Sequence, residues 1–379
     1  MNVPLKYNLR HLRVRWKATL ITVISMALVV MVFVMIMSLA RGLRGTFSGT
    51  GDNGNLLVIR KGALAESSSQ IAVEDVKYMR YLDGIASASA EVIVLITLPR
   101  SSGGNAHVQV RGLETTGIAL RSQVKLVEGR MFDRGRRECI VSRKVAKRFK
   151  GTALGEQFRS GKDVWRVVGI FEARKTAYES EIWADADEVR EGFRRSFYCS
   201  MTIRPANTNA SAALIERIES ERGRQLRAMA EAEYYRAQTK TAGPIQALGA
   251  CLAAVMSIGA IFSAMNTMYA TVGARTREIG TLRVLGFAPG SIYFSFLLES
   301  LILALVAGVL GCLLALPMNG LITGTFNWSS FAEVAFEFHV TGELLVAGIL
   351  FAVVMGALGG MLPARSAARK PLLDALRAT

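Results

Sequence analysis

Four long apolar stretches constrain this chain more than any other feature. They cover residues 19–40, 247–270, 292–316 and 344–361. About 20 apolar residues in helical form cross a hydrocarbon core. The last stretch is the shortest, and a buried core helix is the alternative for any one of them; runs this long are rare inside globular domains. Hydrophobic residues make up 51% of the 379, with a mean hydropathy of +0.30, too apolar for an ordinary soluble protein. The spacing predicts an α-helical membrane protein with four spans.

Loop charge sets the orientation, because lysine and arginine in short flanks stay in the cytoplasm. Lys6, Arg10, Arg13, Arg15 and Lys17 precede the first span; Arg275, Arg277 and Arg283 follow the second; Arg365, Arg369, Lys370 and Arg377 follow the fourth. Residues 317–343 hold no lysine or arginine, but do hold Glu333, Glu337 and Glu343. Both termini are then expected inside, and residues 41–243 are forced outside. The first apolar run exceeds a signal-peptide core and Arg41 follows it directly, which reads as an uncleaved anchor. Leu5, Leu9, Leu12 and Trp16 at helical spacing within the basic segment 2–17 suggest an interfacial helix on membrane lipids, or a plain topogenic flank.

Between spans two and three lies a short charged segment. Ile279, Leu282 and Leu285 recur every third position among Arg275, Arg277, Glu278 and Arg283, which predicts a small helix with one apolar face. Gly286 should end it and Pro289 should open the next element. Such a face needs something to bury it, and reads as a handle for another protein.

The outside region reads as an α+β domain of two interleaved subdomains, the second at about residues 120–199. A glycine-rich loop is expected over 42–55. Strands are expected at 56–60, 91–98, 106–111, 139–142, 165–171, 181–184 and 200–204, a helix at 73–82, and a short basic helix or turn at 143–149. Ser101 to Asn105 suits a hairpin turn. From Asn207 onward the pattern stays helical, through Leu214, Ile215, Ile218, Leu226 and Met229, predicting a stalk that runs past Gly243 and Pro244 into span two. The domains expected are thus 1–40 (amphipathic segment and first span), 41–243 (outside domain with helical stalk) and 244–379 (three spans and a cytoplasmic tail). Cys139 and Cys199 can pair or stay free; with no further cysteine framework, free buried thiols are preferred.

Inside the spans, Glu299 is the ionisable residue. An intramembrane carboxylate is a functional candidate by default, but pairing with a basic residue of the handle is the structural alternative. Ala304 and Gly308, and Gly356 and Gly360, sit four apart and offer a close helix-packing face.

No catalytic constellation stands out. His11, His107 and His339 are scattered, and neither a phosphate-binding loop nor a nucleophile elbow occurs. Net charge is +16, yet the outside region holds 34 basic and 24 acidic residues, about +10 facing away from the cytoplasm, which argues against nucleic acid.

The run from Ala264, Met265, Asn266, Thr267 and Met268 into Arg275 through Gly286 resembles the signature of MacB-type permeases of ABC transporters, the FtsX-like family. Leu298, Glu299 and Ser300, then Pro363 through Ala368 and Ala375 to Arg377, are similar too. The resemblance implies that Arg275, Thr276, Arg277, Glu278, Ile279, Gly280, Leu282, Arg283, Leu285 and Gly286 form a coupling helix (275–286) docking on a separate ABC ATPase. It implies no cofactor in this chain, with ATP and Mg bound by that ATPase. It also implies a second permease copy, a periplasmic adaptor or outer-membrane channel as possible partners, and location in the bacterial inner membrane. Glu299 would belong to the family's span-three pattern. MacB carries its own ATPase domain, and this sequence shows none. Two functions follow from the resemblance: a permease that exports or extracts a substrate at the outer face by mechanotransmission, or an FtsX-like scaffold that activates an outside partner such as a cell-wall hydrolase.

Overall fold

Apolar runs become helices wherever a single stretch can satisfy its own backbone, and alternating runs pair into sheet; this chain does both, in two separate units. The computed structural model describes residues 16–174, 176–221, 223–239, 243–326 and 332–370. The amphipathic reading of residues 2–15 and the terminal motif at 375–377 lie outside the described residues. Along the chain come α1 (Trp16–Ser48), β1 (Leu56–Arg60), α2 (Val73–Arg80), β2 (Ile85–Pro99), β3 (Asn105–Leu113), α3 (Thr115–Ala119) and β4 (Lys125–Gly129). Next are β5 (Glu138–Ser142), α4 (Arg143–Arg148), β6 (Gln157–Ser160), β7 (Asp163–Glu172), β8 (Glu181–Asp185), α5 (Ala186–Gly192), β9 (Ser200–Pro205) and α6 (Thr208–Ser220). The chain then forms β10 (Leu226–Ala230), α7 (Glu231–Gln238), α8 (Gly243–Ala274), α9 (Thr276–Val284), α10 (Pro289–Ala315), β11 (Ile322–Phe326), β12 (Glu333–Glu337) and α11 (Gly342–Arg369).

One unit contains Met1–Arg41, Pro244–Leu321 and Phe338–Thr379; the other contains Gly42–Gly243 and Ile322–Glu337. Among the described residues, four helices that lie wholly or mainly in the first are long and apolar enough to cross a membrane: Thr19–Ser48, Ala247–Ala274, Pro289–Met318 and Gly342–Arg369. Val23, Met26, Val30 and Val34 of α1 share a core with Ala260 and Ala264 of α8, Leu303, Ala304 and Ala307 of α10, and Ala352 and Met355 of α11. Small residues let α10 and α11 touch: a Cβ on Gly356 would lie 2.3 Å from Ala304 Cβ, one on Gly360 2.5 Å from Ser300, and one on Gly308 2.9 Å from Ala352. Ser300 Oγ donates to the Gly356 carbonyl at 2.5 Å, so the close approach also satisfies a polar group.

The second unit is built on a ten-stranded sheet in the order β10-β1-β9-β2-β3-β8-β5-β7-β4, with β6 paired to β7. The 15-residue β2 joins its halves. Residues 85–91 of β2 pair with β9, and residues 92–99 pair with β3. The turn after β2 uses Gly103 and Gly104 at φ 99 and 77, values that glycine adopts without a Cβ clash. A single core runs through both halves, from Leu56, Val58 and Ile203 to Val141, Trp165 and Val167. The expected subdomains are therefore two ends of one sheet.

Three expectations change. The loop expected from Gly42 is helical through Ser48, because Leu43 and Phe47, four apart, are both buried. Gly42 is required there for proximity: a Cβ would sit 2.2 Å from the Glu337 carbonyl oxygen. The helix expected from Asn207 stops at Ser220, and Leu226–Ala230 is a strand on the free edge of β1. Leu226 and Ala228 are buried while Arg227 between them is exposed, a period-two pattern that overrides the helical spacing of Leu226 and Met229. Finally, within residues 317–343, expected as a plain connection between spans three and four, 322–326 and 333–337 form the antiparallel pair β11 and β12 of the second unit. Glu333 reaches Arg100 at 2.5 Å and also pairs with Arg148, and Glu337 lies 3.2 Å from Lys144. The Ser180 hydroxyl accepts from the Ala335 N–H at 2.8 Å. Two of the three glutamates read in this loop, Glu333 and Glu337, are also the ones that hold the strand pair. Cys139 and Cys199 are both free and buried, and burial pushes the Cys199 thiol up to about 11.

Candidate functional site

The short helix α9 owes its position to groups on both sides of it in sequence. Where α8 ends, Thr276 Oγ1 bonds back to the Gly273 carbonyl at 2.8 Å. At the far end Gly286 adopts φ +90, and the Phe287 N–H reaches the Leu282 carbonyl at 3.1 Å, closing the helix with a left-handed glycine. Pro289 opens α10 at its first turn. Ile279 is 2% exposed and packs on Met268, Val272, Ile292, Phe296, Ala364 and Ala367. Burying that side chain contributes about 2 kcal/mol. Gly280 is buried beside it.

Ionic contacts fix the remaining orientation. Arg275 is 8% exposed; its Nη1 donates to Glu299 Oε2 at 3.0 Å and its Nε to Glu278 Oε2 at 3.1 Å. The guanidinium also lies 5.0 Å from the centre of the Phe296 ring. Arg283 Nη1 donates to the Ala368 carbonyl near the end of α11 at 3.4 Å, and Lys370 Nζ donates to Thr276 Oγ1 at 2.6 Å. So α9 is pinned by α8, α10 and α11 together. The carboxylate of Glu299 faces the helix pin rather than standing alone.

The apolar face read from the sequence is thus divided. Ile279 belongs to the protein's own core, Leu282 is half-buried, and Leu285 at 66% exposed joins Val284 at 60% on the open side with Arg277 and Thr281. The periodicity of three tracks helical spacing only through α9, and Leu285 already lies in its terminating turn. The four small residues all lie in the α10–α11 seam, but only Ala304 and Gly356 meet each other; Gly308 faces Ala352 and Gly360 faces Ser300.

A second assembly of charge was not legible in the sequence. In the sheet unit, Arg111 on β3 is fully buried and holds three carboxylates: Glu91 at 2.6 Å, Glu66 at 2.9 Å and Glu181 at 2.8 Å. Arg121 holds Glu91 at 2.7 Å and approaches Glu231 at 3.6 Å. Trp183 Nε1 donates to Glu181 at 2.7 Å, Tyr178 Oη to Glu231 at 2.8 Å, Ser200 Oγ to Glu66 at 2.8 Å and Thr202 Oγ1 to Glu91 at 2.9 Å. Every carboxylate therefore has a donor beyond the arginines, which low-dielectric surroundings demand. Burial alone would raise the Glu66 carboxyl, but the charge and hydrogen bonds of Arg111 outweigh it and hold it below its ordinary value. Burial pushes up the phenols of Tyr178 and Tyr235. Glu91 stands where β2 changes partner from β9 to β3, so the assembly sits on the seam between the sheet's two halves. The one clue in the sequence is a charge embedded in apolar strand: Glu91 before VIVLITL, Arg111 after HVQV, Glu181 before IW.

Comparison with known proteins gives this geometry a family. Residues 19–221, more than half the chain, match the model of the MacB-like periplasmic core domain, and residues 250–372 match the FtsX-like permease C-terminal region. The uncharacterized ABC transporter permease YknZ of Bacillus subtilis is 25% identical over 331 residues, covering 83% of this chain and 80% of that one. The macrolide export ATP-binding/permease protein MacB of Bordetella avium is 24% identical over 330 residues, covering 82% of this chain and 49% of its own length. The chain thus spans about half the length of that relative. Among solved structures, the extracellular domain of YknZ aligns with a TM-score of 0.38 at 16% identity, covering 46% of this chain and 99% of that domain. The periplasmic region of MacB from Actinobacillus actinomycetemcomitans aligns with a TM-score of 0.40 at 15% identity, covering 50% of this chain and 94% of that one. With a MacB-like core-domain region and an FtsX-like permease region in one chain, and four candidate transmembrane helices, the protein belongs to the MacB-like family of ABC transporter permeases.

Proposed function

We propose that this chain is the membrane subunit of an ATP-driven complex, in which a separate ATPase docks on α9 and its cycle is converted into motion of the α+β domain. That domain is inserted between the first and second spans on the outer side of the bacterial inner membrane, both termini are cytoplasmic, and two permease copies work together. Substrate is exported or extracted at the outer face. The observation that supports this reading is the way α9 is held: pinned through Ile279 and Arg275, while Arg277, Thr281, Val284 and Leu285 stay open. A lever needs a rigid mounting and a free face, and α9 has both. ATP and Mg belong to the docked ATPase.

The test is co-purification from native membranes with Val284→Asp and Leu285→Asp combined. Both side chains are exposed, so the fold is expected to persist. An ATP-binding subunit retained by wild type and lost from the double variant supports docking at α9. Absence of such a subunit from wild type, even after cross-linking, overturns the reading. An adaptor or outer-membrane channel in the same complex points to export, and a cell-wall hydrolase to signalling.

A further inference from the structure

The sheet unit carries a concave groove of about 440 Å³ lined by Lys125, Arg143, Lys144, Lys147 and Arg174 together with Gln123, Glu172, Glu179 and Glu337. Its charges fall into two sets. Arg143 is paired with Glu172 at 2.6 Å and Glu128 at 3.4 Å, and Lys144 with Glu179 at 2.8 Å and Glu337 at 3.2 Å. Lys125, Lys147 and Arg174 are exposed and have no ion-pair partner among the described residues. Three like charges on one concave wall repel one another and focus a positive potential into the groove, where an anion relieves both effects.

Two further observations point to a ligand rather than a solvated face. Arg174 has φ 45, the left-handed region, which costs a residue with a Cβ roughly 1–2 kcal/mol. Strain of this kind persists only where the surrounding structure over-determines it, and such residues cluster at binding sites. Gln123 Nε2 donates to the Gly51 carbonyl at 3.0 Å, which fixes the amide, and its Oε1 is buried with no hydrogen-bond donor. An orphaned buried acceptor beside unpaired cations asks for a group that brings negative charge and a donor at once.

We propose that this groove is a binding site for a phosphate-bearing anion with a hydroxyl donor next to the phosphate. Lys125, Lys147 and Arg174 neutralise the phosphate and Gln123 Oε1 accepts the hydroxyl. The chemistry is shared by a glycerophosphate lipid headgroup and by a free phosphate ester. It is independent of ATPase docking, since it concerns the sheet unit alone.

The full chain, purified in detergent and placed in phosphatidylcholine nanodiscs, is titrated in low salt with inorganic phosphate and with glycerol 1-phosphate, and then mixed with vesicles containing phosphatidylglycerol. Variants are Lys125→Glu, Lys147→Glu, the two combined, Arg174→Gly and Gln123→Leu, with Lys162→Glu on the β6–β7 turn as the charge-matched control for each single lysine reversal. Glycerol 1-phosphate is expected to bind more tightly than inorganic phosphate, and the lysine pair variant to weaken it about tenfold or more. Arg174→Gly should weaken binding while leaving the thermal midpoint unchanged or raised, which a purely structural role for Arg174 would not do. Gln123→Leu should erase the preference for the glycerol ester over phosphate. Vesicle capture with no soluble-ester binding assigns the groove to a headgroup, and soluble-ester binding without vesicle capture assigns it to a free ester. No binding of any probe, or an equal loss in Lys162→Glu, overturns the proposal.

Discussion

The two units of this protein bury charge in contrasting ways. In the helical unit one arginine, Arg275, meets Glu299 24 residues away and Glu278 three residues away, next to a phenylalanine ring. In the sheet unit two arginines gather Glu66, Glu91, Glu181 and Glu231 from four separate parts of the chain. The first is a pin between neighbouring helix ends, and its geometry is almost local. The second is a knot across the middle of a ten-stranded sheet, and it exists only once the whole sheet is assembled. A pin can hold one short element at a chosen angle, whereas a knot makes the two halves of the sheet depend on each other.

That contrast can be broken in order of expected effect. Arg111→Leu leaves buried Glu66 and Glu181 without their arginine and Glu91 with Arg121 alone, and should exceed the roughly 3–5 kcal/mol typical of breaking a single buried pair. Thermal unfolding of the purified chain followed on the sheet unit would show it. Arg111→Lys should rescue little, because an ammonium cannot reproduce the forked contacts to Glu66 and Glu181. A small shift in Arg111→Leu would mean that the knot is decorative.

Glu299→Ala comes next, at about 3 kcal/mol or less, since Glu278 still holds Arg275. Proteolysis near α9 should rise while the sheet unit stays intact, and Arg275→Met combined with Glu299→Leu should recover much of the loss. Equal damage to both units would contradict the idea of a local pin. Asn207→Ala removes the side-chain cap on the Ala210 N–H, made at 2.8 Å, and should cost about 1 kcal/mol. It touches neither charge assembly, so its effect should add to each of the others.

The smallest effect is acid sensitivity. Because the Glu66 carboxyl is depressed in the folded protein, its contribution is complete above its ordinary value of 4.5 and is lost as pH falls through the depressed value. The thermal midpoint of the sheet unit should therefore drop below about pH 4.5, and Glu66→Gln should flatten that slope while lowering the midpoint overall.

Much of the fold was legible where the physics is local. Apolar runs marked the four long helices, Gly286 and Pro289 marked the end of α9 and the start of α10, and short apolar, β-prone runs marked β1, β3, β5, β7, β8 and β9. The exposed β4 and the short β6 carry too few apolar residues to announce themselves, and β10 had a spacing compatible with helix. Ile279 shows the limit at the candidate site. Its apolar character was plain, but whether it faced a partner or the protein's own core depended on Met268, Phe296 and Ala364, which come from three different helices.

By itself the sequence determined which segments could enter a membrane, where the short helix between two of them begins and ends, and that Glu299 needed company. Those outcomes follow from transfer free energy and backbone geometry, which act over a few residues. Only the tertiary structure decided that Arg275 is that company, that residues 322–337 join the sheet unit, and that six distant charges share one buried site. Each of those depends on groups brought together by chain closure over tens to hundreds of residues, and no local spacing records which ones will meet.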